Sequence, residues 1–190
     1  MTNEIHSYDS IQVSKMSQPK YIIVHCSDSN FGDAELIHKW HIESPNNFKK
    51  IGYHYVILNG CPRKSTEYIS KLDGEIESGR KEYETGSHCL GYNSNSIGIC
   101  CIGKTFFTSR QLVTLISLIN SIRSEYNIPL VNVLGHYETL KANGKTCPNF
   151  NMITLRTLLE QPDLINNDKI FVKFDSRNPN KTFDFKNHFE

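Results

Sequence analysis

The stretch from Ser96 to Ile122 constrains the fold more than any other part of this chain. A short apolar run, Ser96 to Ile102, reads as a strand. It is followed by Thr108, a good helix cap, and then by Leu112, Leu115, Ile116, Ile119 and Ile122, which recur at helical spacing on one face. A strand feeding directly into a long amphipathic helix calls for a sheet on which that helix can bury its stripe. The rest of the chain supplies the sheet. Tyr21 to Ser27 is short and rich in β-branched and aromatic residues, as a central strand buried on both faces would be. Gly52 to Leu58 reads as a second strand, with Glu75 to Glu77 as its hairpin partner after the turn Asp73-Gly74. Val131 to Leu134 reads as a short further strand. Helices are expected from Ala34 to about Glu43 behind Asp33, and from Met152 to Leu159 behind Asn151, while Ile128-Pro129 ends the long helix. The expectation is a single α/β domain, a central mixed β-sheet flanked by helices.

With 190 residues the chain is long enough for one substantial core and short for two. We expect a flexible lead-in over 1–19, the domain over 20–160 and a C-terminal extension over 161–190. The extension contains one strand-like run, Lys169 to Phe174, and Cys61 to Ser70 reads as an inserted loop. Lys and Arg total 21 against 20 Asp and Glu, so the charge of +1 provides no general attraction to nucleic acid. The longest apolar runs are far too short to span a bilayer, so no membrane insertion is expected. Met1 to Lys20 has no basic segment followed by an apolar one, the pattern of a secretory signal, so the protein is expected in the cytoplasm of the producing cell, with its six cysteines in reduced or metal-bound form.

Catalytic zinc sites combine three ligands drawn from His, Cys and carboxylates with an open position, and the ligands sit where strand ends and loops converge. Three segments offer such a set. His25 ends the first strand, His136 follows a strand in Leu134-Gly135-His136, and Cys147 lies in Lys145-Thr146-Cys147-Pro148. A Cys-Pro pair ahead of a helix can place the thiolate near the positive helix end and lower its pKa. Taken singly, either histidine reads more readily as a hydrogen-bonded structural or surface residue. His38 and His41, three apart on a predicted helix, read as surface positions. Cys26 should point away from His25 into the core, and His54 away from Tyr53 as a buried structural histidine. Cys61, Cys89, Cys100 and Cys101 lack the CxxC spacing of a zinc knuckle.

Several pieces in order carry a resemblance: Ile23-Val24-His25-Cys26-Ser27, Ile51-Gly52-Tyr53-His54-Tyr55, Asp73 to Arg80, Gly86-Ser87-His88, Asn95 to Ile99, Gly135-His136 and Lys145 to Phe150. From Tyr21 to Leu159 the chain resembles the type 2 N-acetylmuramoyl-L-alanine amidases, a family of bacteriophage lysozyme-type amidases and animal peptidoglycan recognition proteins. The resemblance implies that His25, His136 and Cys147 bind Zn2+, that Tyr53 and Lys145 assist catalysis, and that a groove for muramyl peptide includes His88 and Arg80. For Arg80 an ion pair that stabilises the fold is an equal alternative. The implied reaction is hydrolysis of the bond between N-acetylmuramic acid and L-alanine in peptidoglycan, by a monomeric phage or prophage endolysin that reaches the wall after release or by another export route. Tyr53 is expected to orient groups rather than serve as base, since a phenol titrates near 10. Two other readings stand beside this one: a recognition protein that binds peptidoglycan without cleaving it, and an intracellular regulator that binds another protein.

Overall fold

In a computed structural model that describes residue 16 and residues 18–162, five strands form one sheet in the order β3-β2-β4-β1-β5. Their ranges are β1 Tyr21–Cys26, β2 Tyr55–Asn59, β3 Asp73–Ser78, β4 Ser96–Cys101 and β5 Val133–Gly135. The four strands β2, β4, β1 and β5 run parallel, and β3 pairs antiparallel with β2 at the edge. Parallel strands need cover on both faces. Accordingly Ile22, Ile23 and Val24 are all fully buried, and every residue of β4 is buried. The expected mixed sheet is present.

Side-chain alternation divides the core in two. Ile22, Val24 and Cys26 face the larger cluster, formed with α2 (Ser109–Tyr126) and α3 (Met152–Glu160). Val56, Leu58, Cys100 and Ile102 face the smaller one, against Ile37 of α1 (Ala34–Ile42). Cys26 is in the core as expected. His25, its neighbour, is thereby turned toward the α1 side.

Each helix starts where a side chain satisfies its free amides. Asp33 Oδ1 accepts from the Leu36 N–H at 2.8 Å, and Asn151 Oδ1 from those of Ile153 and Thr154. In α2, Thr108 and Gln111 bond each other's backbone N–H groups, both at 3.0 Å. Gln111 does more than cap: its Nε2 also donates to Ile57 O at 3.0 Å and Ile102 O at 2.9 Å, tying the helix start to the ends of β2 and β4.

Boundaries differ from the sequence expectation in several places, and Asp73-Gly74, expected as a turn, opens β3. The long helix stops at Asn127, which adopts the left-handed conformation (φ 54°), one residue before Ile128-Pro129. The last strand loses its first residues to a 3-10 turn over Leu130–Asn132. Regular pairing of β2 begins at Tyr55 rather than Gly52, because Gly52 is pressed against a neighbouring loop; a Cβ there would lie 2.2 Å from Ser87 O. The strand-like run Lys169 to Phe174 lies outside the described residues.

Candidate metal centre

The carboxyl ends of β1 and β5 meet in a cleft of about 500 Å³. Their register, Val24 opposite Gly135, puts His25 beside His136, and the two imidazole centroids are 4.6 Å apart. Gly135 permits the approach of the third segment: a Cβ there would lie 2.7 Å from Met152 and 2.9 Å from Pro148. The turn after β5 is clamped by Glu138, which accepts from the Gly135 N–H and pairs with Arg156 of α3 at 2.8 Å. Cys147 is tied in by the Tyr137 N–H, which donates to its carbonyl at 2.9 Å.

Nδ1 of His25 lies 3.8 Å from Cys147 Sγ, and one ligand atom from each of His25, His136 and Cys147 falls within 4.8 Å of the others. Zn–N bonds of about 2.05 Å and a Zn–S bond of about 2.3 Å in tetrahedral geometry put nitrogen and sulfur about 3.6 Å apart, so the donor set and its spacing fit zinc. Protonation states agree for the imidazoles. Burial, then the neighbouring His88, His136 and Lys145, hold His25 well below the usual range; burial and Lys145 bring His136 to about 4. Both keep lone pairs at neutral pH.

Cys147 departs from expectation. Its thiol is pushed up, not down, by its hydrogen bond to Cys26 and by burial. The expected help from a helix end is lacking, since α3 begins only at Met152. A coordinated cation reverses that balance, because a ligating thiol loses its proton outright. The Cys26 N–H, 3.2 Å from Cys147 Sγ, is placed to stabilise the resulting thiolate.

Tyr53, Lys145 and His88 line the same cleft. The Tyr53 ring is 5.0 Å from that of His25, and burial raises its phenol well above the ordinary range, so it is neutral at physiological pH. Lys145 is exposed at the rim, in a loop held by Asn149, whose Nδ2 donates to Lys104 O at 2.7 Å and Cys26 Sγ at 3.4 Å. Arg80 does not line this cleft but a second one, of about 540 Å³. Three of its N–H groups donate to Ile51 O, Thr85 O and Ser87 Oγ, at 2.7, 2.8 and 3.1 Å.

Three contacts of the histidines have no signal in residue spacing. His38 and His41 are not simply surface positions: each Nδ1 accepts a backbone N–H, from Ile51 at 3.2 Å and Gly52 at 2.9 Å, and so fixes the segment before β2 that delivers Tyr53. His88 Nδ1 sits 3.0 Å from His25 Nε2. His54, as expected, is fully buried, with its ring nitrogens facing the Gly98 N–H and Glu84 O, both at 2.9 Å.

Comparison with known proteins converges on this region. The profile described as N-acetylmuramoyl-L-alanine amidase matches residues 15–150. The endolysin of Escherichia phage T7 is 31% identical over 171 residues, covering 84% of this chain and 97% of that protein. The endolysin of Enterobacteria phage T3 is 30% identical with the same coverage. Among solved structures, the endolysin N-acetylmuramoyl-L-alanine amidase LysCS from Clostridium intestinale URNW superposes with a TM-score of 0.61 at 26% identity, over 75% of this chain and 84% of that one. Drosophila PGRP-LB shares the fold, with a TM-score of 0.56 at 23% identity over 72% of this chain and 78% of its own.

Proposed function

Because the chain belongs to the N-acetylmuramoyl-L-alanine amidase family, we propose that His25, His136 and Cys147 hold a zinc ion with which Tyr53 and Lys145 carry out the family's reaction. The protein is a peptidoglycan amidase of the phage endolysin kind, hydrolysing the amide between N-acetylmuramic acid and L-alanine. The observation that carries the metal reading is the convergence of three ligand atoms within 4.8 Å at the strand ends.

Bound in this site, zinc supplies Lewis-acid polarisation of the scissile carbonyl and a water acidified to a pKa of roughly 7. The protein's own groups do the rest. Neutral His25 and His136 and the Cys147 thiolate would hold the ion at the cleft they line. Lys145, at the rim, places an ammonium toward the oxygen that becomes negative in the tetrahedral intermediate. Tyr53 keeps its proton and orients the attacking water or the carbonyl by a hydrogen bond. Arg80 supports the groove through the loop residues it holds, Ile51, Thr85 and Ser87. The amidase unit is assigned to residues 20–160, the lead-in to 1–19 and an extension to 161–190, and the unit works as a monomer on the wall after release from the producing cell. No helix among the described residues is long and apolar enough to cross a membrane.

The test is release of soluble fragments from purified murein before and after metal removal. New L-alanine amino termini should appear with zinc, vanish after chelation and return when zinc is restored. Full release by the exhaustively metal-free protein would refute the zinc reading while leaving the family assignment intact.

A further inference from the structure

His25 presents its two ring nitrogens to different partners: Nδ1 lies 3.8 Å from Cys147 Sγ, and Nε2 lies 3.0 Å from His88 Nδ1. A neutral imidazole carries a single N–H, so a lone pair on Nδ1 requires the proton on Nε2. That N–H can only point at His88 Nδ1, which must accept it. His88 then carries its own proton on Nε2, and this nitrogen faces Ser96 Oγ at 3.5 Å. Ser96 Oγ donates to Tyr92 O at 2.7 Å, which leaves its lone pairs toward His88. Every donor in the series therefore points away from the metal position. Reversing the first bond would put the His25 proton on Nδ1 and remove a ligand.

The place of His88 is built into the backbone. A Cβ on Gly86 would lie 2.4 Å from the His88 ring, and one on Gly98 would lie 2.7 Å from it, so the imidazole fills a slot that two glycines leave open. Asn93 Oδ1 accepts from the N–H groups of both His88 and Cys89 at 2.8 Å, fixing the loop that delivers the ring. On the far side of the slot, the Gly98 N–H is held by His54 Nδ1 at 2.9 Å.

We infer that His88 is a positioning residue rather than a substrate contact: by accepting the Nε2 proton of His25 it locks that ligand into the tautomer and orientation that present Nδ1 to zinc. The inference rests on the zinc reading above. Second partners of this kind are typically worth about 10- to 100-fold in metal affinity.

Zinc affinity, measured by competition with a chromophoric chelator, tests it on the wild-type protein, His88→Ala and His88→Gln. His88→Ala should weaken binding by about 10- to 100-fold. His88→Gln, whose amide oxygen can accept the same proton, should recover most of the loss. Equal affinity in His88→Ala, a rise in KM with zinc affinity unchanged, or a Gln variant no better than Ala would each overturn the inference. Nitrogen-detected NMR of the zinc-loaded wild-type protein decides independently of whether any variant folds: the His25 proton belongs on Nε2, and finding it on Nδ1 overturns the assignment. Failure of the wild-type protein itself to bind zinc would instead remove the metal reading on which the inference stands.

Discussion

At the scale of single residues, the proposed metal ligands and the groups proposed to act on substrate predict different phenotypes. Cys147→Ser removes the thiolate while leaving the backbone ties of its loop. Zinc content, by atomic emission, and murein release should fall together; retention of both would exclude Cys147 as ligand. Lys145 is exposed and outside the ligand set. Lys145→Ala should lower kcat by more than about tenfold, in the range expected for a lost transition-state contact, while bound zinc stays at the wild-type level. An unchanged rate would remove Lys145 from the chemistry. Residue type narrowed the candidates for the ligands, whereas the role proposed for Lys145 came from the family resemblance. The contact of His88 with His25 was not legible in that way, because it depends on Gly86 and Gly98, twelve residues apart, leaving a slot for the ring.

Individual elements owe their stability more to packing than to their caps. Thr108 both caps α2 and donates to Asp73 Oδ1 at 2.5 Å, so Thr108→Ala should cost about 1–2 kcal/mol. Ile119, in the same helix and fully buried, should cost about 2–5 kcal/mol when cut to Ala. Urea unfolding of the two variants will rank them, and a larger loss for Thr108→Ala would mean that the apolar stripe is not what holds α2 to the sheet. The same helix shows what is readable at this scale. Period and cap located its body and its first turn, whereas its last residue was set by Asn127 turning left-handed. The start of β2 was likewise set by a contact, Gly52 against Ser87 O.

For the molecule as a whole, the buried imidazoles couple folding to pH. Burial lowers the pKa of His25, His54 and His88, and brings His41 and His136 to about 4. The unfolded chain takes up protons near 6.5 that the folded chain refuses, so below that pH the unfolded state binds more protons and stability falls as pH falls. The thermal midpoint of the metal-free protein should therefore drop steadily from pH 6.5 toward 4; a flat profile over that window would contradict the burial of these rings. The proposed zinc would add a second linkage. At a free concentration 100 times its Kd it should stabilise the fold by about 2.7 kcal/mol, seen as a higher midpoint that chelation reverses. Acidification should erase that increment as well, because the ligands must be unprotonated to bind.

The alternation of strands and helices, the central position of Tyr21 to Cys26, and the His, His and Cys types required for a metal all followed from local chemistry: apolar period, caps and donor atoms are properties of neighbouring residues. Which of eight histidines share a site did not. That depended on the parallel register of β1 with β5, which sets His25 beside His136, and on the loop carrying Cys147 folding back over Gly135. His88 and Arg80, both taken from resemblance as groove residues, came to lie respectively against the His25 ring and across a second cleft. Contacts between segments tens of residues apart are settled by packing and hydrogen-bond satisfaction over the whole sheet, and no window of sequence contains both partners.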